Sequence, residues 1–227
     1  MSNSVLITGA SQGLGKAMTH EFYNKGYNLI LNGRDKAKLD LLSYEIGIKG
    51  IVIPGDLREK NTIDRLIEEA EKRKVSILVN SAGVYLKKTV AETSESELRE
   101  VMETNFFSAV NLTTRILPFF VVNGGGTIIN INSVAGDSGS YGESAYAASK
   151  HAINGFFDSM RYEVARGSVR ITNVALGAMQ TEMSYGREDW DKFISPEEAA
   201  KLIVSSCIDY KTLCPNEIRI GRTRYSK

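Results

Sequence analysis

Seven short apolar runs, separated by longer amphipathic stretches, constrain this chain more than any other feature. The runs are "SVLIT" (4–8), "NLIL" (28–31), "IVIP" (51–54), "SILVN" (76–80), "TIININ" (127–132), "VRITNVAL" (169–176) and "EIRI" (217–220). Helix-like stretches lie between them at 13–25, 35–45, 61–73, 95–122, 145–166 and 196–208. In "TIDRLIEEAEKRK" (62–74), Ile63, Leu66, Ile67 and Ala70 fall on one helical face. "SPEEAAKLI" (195–203) begins with Ser195 as an N-cap and Pro196 at the first helical position. Strand–helix alternation implies crossover connections and therefore parallel strands. The runs are apolar at both parities, as strands covered on both faces must be. The expected architecture is one α/β domain over residues 1–227, a doubly wound parallel sheet of about seven strands with helices on both faces. Such sheets bind ligands at the carboxyl ends of the strands, so functional residues are expected just after each strand.

Composition narrows the class without naming a function. The chain has 227 residues, 42% hydrophobic and 24% charged, with a formal net charge of +1. This is an ordinary soluble composition, and it gives no support for nucleic acid or a membrane surface as a partner. Two cysteines, Cys207 and Cys214, make neither a disulfide framework nor a zinc site, so reduced thiols in a cytoplasmic protein and no metal are expected. The start "MSNSVLITGA" lacks a basic region and has too short an apolar run for a signal peptide. The run "ILPFFVV" (116–122) is far short of a membrane span.

After the first run comes "TGASQGLGKA" (8–17), in which Gly9, Gly13 and Gly15 give the pattern T-G-x-x-x-G-x-G. At a strand-to-helix turn, backbone N–H groups and the helix N-terminus can hold a pyrophosphate. Glycine lets the chain turn tightly and approach the phosphates. A purely structural turn would also use three glycines, and the position before the first helix favours the nucleotide. The second run ends "NLILNGRD" (28–35), where an acid often binds the adenosine ribose. Gly33 stands there instead, and Arg34 can pair with a 2′-phosphate. NADP(H) is therefore expected over NAD(H). The alternative is that Arg34 is solvated and Asp35 caps a helix, and an Asp35 reaching a ribose hydroxyl would restore NAD(H).

Six motifs then occur in order: "TGASQGLG" (8–15), "GDL" (55–57), "NSAG" (80–83), the Asn of "METNFF" (102–107), "INSVAG" (131–136) and "YAASK" (146–150). Together they resemble the short-chain dehydrogenase/reductase (SDR) family over nearly the whole chain, which implies a Rossmann-type sheet. The resemblance implies a cofactor loop of Gly9, Ser11, Gln12, Gly13, Leu14 and Gly15. It gives Asp56 the adenine amino group, places Leu57 beside the ring, and has Asn80, Ala82 and Gly83 shape the turn next to the cofactor. Ser81 replaces the usual second Asn. Asn105 resembles the family's catalytic-tetrad asparagine, which holds a helix kink and a proton-relaying water. "LGAMQT" (176–181) resembles "PGxxxT", with Gly177 and Thr181 at the nicotinamide. Leu176 departs from the usual Pro: it either loosens that side of the pocket or is simply a buried strand end.

Tyr146 and Lys150 are four apart and share a helical face, and Ser133 follows the fifth run. A free tyrosine titrates about three units too high for a base at neutral pH. A lysine cation about 4 Å away, at an effective dielectric near 20, contributes roughly 4 kcal/mol, or about three pKa units. The expected tetrad is thus Tyr146 as acid–base, Lys150 lowering its pKa, Ser133 polarising the substrate oxygen and Asn105 completing the relay. In the family the lysine and the tyrosine also contact the cofactor.

Other polar residues are read as structural. His151 points about 100° away from Lys150 on a helix, His20 is surface or core, and Cys207 packs. Ser149 is a helix-packing residue beside the cofactor, and Tyr141 is either a substrate contact or loop packing. The segment 181–195, with Met183, Tyr185, Trp190 and Phe193, is expected to form a lid whose aromatics either meet a partly apolar substrate or pack on the core. The family implies a homodimer or homotetramer through 95–122 and 145–166. The expected activity is hydride exchange between a nicotinamide and a small carbonyl or alcohol compound. The alternative is a non-catalytic nucleotide-binding regulator on the same fold, against which the intact tetrad argues.

Overall fold

The computed structural model describes residues 3–47, 50–164, 168–210 and 212–222. Seven parallel strands form one sheet in the order β3-β2-β1-β4-β5-β6-β7. They are β1 (Ser4–Ile7), β2 (Asn28–Gly33), β3 (Gly50–Pro54), β4 (Ile77–Asn80), β5 (Gly126–Ser133), β6 (Val169–Leu176) and β7 (Glu217–Ile220). The helices are α1 (Gly13–Asn24), α2 (Lys36–Glu45), α3 (Lys60–Lys72), α4 (Glu95–Met102), α5 (Ser108–Val122), α6 (Ser144–Val164) and α7 (Pro196–Ile208). The helix expected over 145–166 runs to Val164, and residues 165 and 166 lie outside the described residues.

Strand periodicity explains why both parities are apolar. Val5, Ile7, Leu29, Leu31 and Val79 enter one core with α1, α2 and α7. Their neighbours Leu6, Ile30 and Leu78 point the other way, into a core with α3, α5 and α6. Local signals set the helix starts. Ser195 accepts from the Glu198 N–H with Pro196 at the first position, and Ser94 and Glu97 form a reciprocal capping box on α4. Chain order reverses between β1 and β4, so the residues after these two strands flank the switch point.

The segment 95–122 is not one regular helix. A π-helical turn, Glu103–Phe107, separates α4 from α5. Through it the helix Glu95–Val122 is continuous, and by length and composition alone it could cross a membrane. The sequence run 116–122 is only its last part. Here α5 packs on α3 and β5, and α4 packs on α6, which leaves Phe107, Val121 and Val122 exposed.

Candidate active site

Four of the six motifs land at strand ends, while Asn105 and the Tyr146–Lys150 pair sit on helical segments. Gly9 follows β1 with φ at +65°, and a Cβ there would lie 2.8 Å from the Ala82 backbone across the switch point. A Cβ on Gly15 would lie 2.1 Å from the Gly9 carbonyl oxygen, so α1 starts pressed against the loop. The N-cap of α1 is Gln12, which supplies no side-chain cap. The first backbone N–H groups of α1 are therefore left for an external acceptor beside backbone that only glycine permits. This cradle fits the pyrophosphate of a dinucleotide.

Two cavities meet over this loop and share Gly9, Gln12, Ser81 and Gly83. The smaller, of about 200 Å³, is lined by Ser11, Arg34, Asp56, Leu57 and Ala82 among others and suits an adenosine. Arg34 is exposed at its rim. Asp35 accepts the Lys38 N–H at 3.0 Å through one carboxylate oxygen as the N-cap of α2, and it too lines this cavity. Asp56 is held by the Arg58 guanidinium at 2.6 Å, which lowers its pKa. Asn80 reaches neither cavity: its amide bonds Thr113 and Asn130 and ties β4 to α5 and β5.

The larger cavity, of about 310 Å³, is lined by Leu14, Gly83, Ser133, Tyr146, Lys150, Gly177 and Thr181 among others. Ser133, the last residue of β5, stands beside the Tyr146 phenol and lowers its pKa, and its hydroxyl accepts the Ala135 N–H at 3.1 Å. Lys150 is buried, and its Nζ donates to the Ile131 carbonyl at 3.1 Å. Asn105 sits in the π turn, where the widened backbone carries its amide to the end of β4. It accepts the Val84 N–H at 2.7 Å and donates to the Val84 carbonyl and to the Ser149 hydroxyl, each at 3.0 Å. Ser149 in turn donates to the Tyr146 carbonyl at 2.7 Å, so the asparagine braces the helical turn that carries the tyrosine.

The electrostatics differ from the spacing argument. Burial holds the Tyr146 phenol above its ordinary pKa, the Ser133 hydrogen bond pulls it down, and the Glu143 carboxylate adds to the rise. Lys150 supplies no resolved lowering. Its ammonium is turned to Ile131, and its Nζ lies 5.7 Å from the Tyr146 ring centroid. Burial has pushed its own pKa down to about 8.

The sequence model of the short chain dehydrogenase family matches residues 3–192. The chain belongs to this family. It is 36% identical over 225 residues to a Drosophila melanogaster "Dehydrogenase/reductase SDR family protein 7-like", covering 90% of this chain and 69% of that one. It is 32% identical over 236 residues to "Sulfoacetaldehyde reductase 2" of Chromohalobacter salexigens, covering 98% and 93%. The chain spans only 58% to 62% of the length of the vertebrate relatives named "Dehydrogenase/reductase SDR family member 7B". Among solved structures, a serine dehydrogenase in closed form complexed with NADP+ superposes with a TM-score of 0.88 at 26% identity, covering 99% and 100%.

Within this family frame, several site neighbours carried no motif. Tyr85 donates to Glu143 at 2.5 Å and meets the Tyr146 ring edge-on at 5.0 Å. Glu143 lies three residues before Tyr146, the single local signal that could have found it. Lys38 bonds both Gln12 and the lid residue Glu182, clasping lid, glycine loop and α2 together. Tyr141 is 85% exposed and off the cavity, so it is neither the substrate contact nor the packed loop residue expected; Ser138 and Ser140 line the wall instead. Of the lid aromatics, Phe193 is buried and Tyr185 packs edge-on to Trp190, while Met183 lines the cavity. Leu176 is the buried end of β6, in register with Ser133 and Ile220, and Gly177 bonds Ile220 beyond it. His20 pairs with Glu45, and His151 bonds the Ala147 carbonyl within its own helix.

Proposed function

We propose that this protein is an NADP(H)-dependent oxidoreductase that interconverts a small carbonyl compound and its alcohol. The observation that carries the reading is the convergence of Ser133, Tyr146 and Lys150 on one cavity, with Asn105 bracing the tyrosine's helix from the π turn. When bound, the nicotinamide supplies or accepts the hydride. Ser133 orients the substrate oxygen and stabilises charge developing on it. Tyr146 gives that oxygen a proton in reduction and takes one in oxidation. Lys150, anchored on the Ile131 carbonyl one helical turn from Tyr146, holds a buried amine at the floor of the same cavity. Gly9, Ser11, Gln12, Gly13, Leu14 and Gly15 hold the pyrophosphate, Asp56 and Leu57 the adenine, and Gly177 and Thr181 the nicotinamide.

The NADP(H) preference rests on Gly33 and Arg34, with Asp35 occupied as a cap. The serine dehydrogenase relative complexed with NADP+ supports it. We read residues 1–227 as one cytoplasmic domain that forms a homodimer or homotetramer through the exposed faces of α4–α5 and α6. A cofactor-fluorescence titration with NADPH and NADH, combined with turnover of a carbonyl and alcohol panel, tests the reading. Tighter NADPH binding with turnover is expected. Binding with no turnover on any compound would point to a regulator instead.

A further inference from the structure

We propose that the substrate is a short carbonyl or alcohol compound bearing a carboxylate or other terminal anion, which the lid guanidinium of Arg187 holds in the Tyr146 cavity. The inference rests on the oxidoreductase reading and adds the substrate class. Among the described residues, three charged side chains line the cavity: Lys150, Glu143 and Arg187. Two of them are engaged. Lys150 donates to the Ile131 carbonyl, and Glu143 accepts the Tyr85 hydroxyl. Arg187, unlike Arg58, Arg115 or Arg219, has no carboxylate within ion-pair distance among the described residues. Two of the four lid acids, Glu182 and Asp189, pair with Lys38 and Lys192.

Arg187 is exposed on the lid and lies over an aromatic ring. Its guanidinium centre lies 5.2 Å from the ring of Phe193, which is 8% exposed. A stacked guanidinium keeps its N–H edges free for a planar, bidentate anion such as a carboxylate. Its charge is felt at Tyr85, where it opposes the rise in the phenol's pKa. Arg187 therefore acts on the Tyr85–Tyr146 side of the cavity. Glu143 acts on the same two tyrosines but is engaged by the Tyr85 hydroxyl, which leaves Arg187 as the charged group open to an anion. The cavity, about 310 Å³, is at the lower end of the ~300–1,000 Å³ usual for ligand sites and must also take the nicotinamide, so the substrate is short.

The test compares 3-hydroxypropionate and 3-hydroxybutyrate with their methyl esters, with NADP+ and with NAD+, in the wild type, Arg187→Ala and Arg187→Lys. The wild type is expected to prefer the acids by kcat/KM. Arg187→Ala should lower the acid-to-ester ratio roughly 10- to 100-fold, the scale of a lost charge-assisted hydrogen bond. Arg187→Lys should restore part of that ratio, because it keeps the charge without the fork. NADPH affinity, read by fluorescence, should stay close to wild type. A ratio unchanged in Arg187→Ala, or a tenfold loss of NADPH affinity, overturns the inference, the latter by assigning Arg187 to the cofactor. Wild-type turnover confined to uncharged compounds overturns it while the oxidoreductase reading stands. Absence of turnover on the whole carbonyl and alcohol panel removes both.

Discussion

Replacing Lys150 with methionine should stabilise the fold while it disables the site. Lys150 is 6% exposed, and its pKa in the folded protein is about 8 against an ordinary 10.5. At ~1.4 kcal/mol per unit, that displacement is a cost of about 3 kcal/mol whenever the ammonium is protonated in both states. Between these two pKa values the unfolded chain binds more protons than the folded one. Wild-type stability therefore rises with pH across that window, and the full cost stands below it. Methionine removes the titration and keeps an unbranched apolar side chain in the buried position. It also loses the bond to the Ile131 carbonyl, which offsets about 1 kcal/mol. The variant should be more stable by about 2 kcal/mol at about pH 7, and its advantage should shrink by about 2 kcal/mol by about pH 9.5. Urea unfolding of both proteins at matched concentration across that range measures the difference. A difference that stays flat with pH would refute the reasoning, because Lys150 would then carry no burial cost.

The cofactor cradle offers three sharper tests. Gly15→Ala places a methyl 2.1 Å from the Gly9 carbonyl oxygen and should abolish measurable NADPH binding by titration. Arg34→Glu should reverse the NADPH-to-NADH affinity ratio, with a loss of roughly tenfold or more for NADPH from a broken charge-assisted contact. Asp35→Ala should cost about 1 kcal/mol in chemical denaturation, as a lost N-cap does, and leave NADH affinity unchanged.

The fold was legible because it rests on local periodicity. All seven apolar runs became strands, and "VRITNVAL" and "EIRI" did so residue for residue. Apolar residues at both parities, such as Val5, Leu6 and Ile7, were a direct signal of two covering layers. The glycine loop and the Tyr–Lys pair were legible as motifs because their chemistry depends on fixed spacing. Three kinds of feature were hidden. The π turn at 103–107 breaks no periodic pattern in "METNFF", and only the family resemblance of Asn105, which implied a helix kink there, pointed to it. Tyr85, Glu143 and Arg187 meet Tyr146's cavity from separate loops, and no spacing links 85 to 143 or 187. The direction of the Lys150 side chain depends on the Ile131 carbonyl, a contact across 19 positions that a helical-face argument between Tyr146 and Lys150 cannot see.

The central claim is that Tyr146 moves the proton at this site, and Tyr146→Phe tests it most directly. Phenylalanine keeps the edge-on packing against Tyr85 and removes only the hydroxyl beside Ser133. Steady-state turnover of the preferred carbonyl compound should fall at least about 10²-fold, the low end for a lost general acid, with NADPH affinity largely retained. Turnover at the wild-type rate would contradict the account.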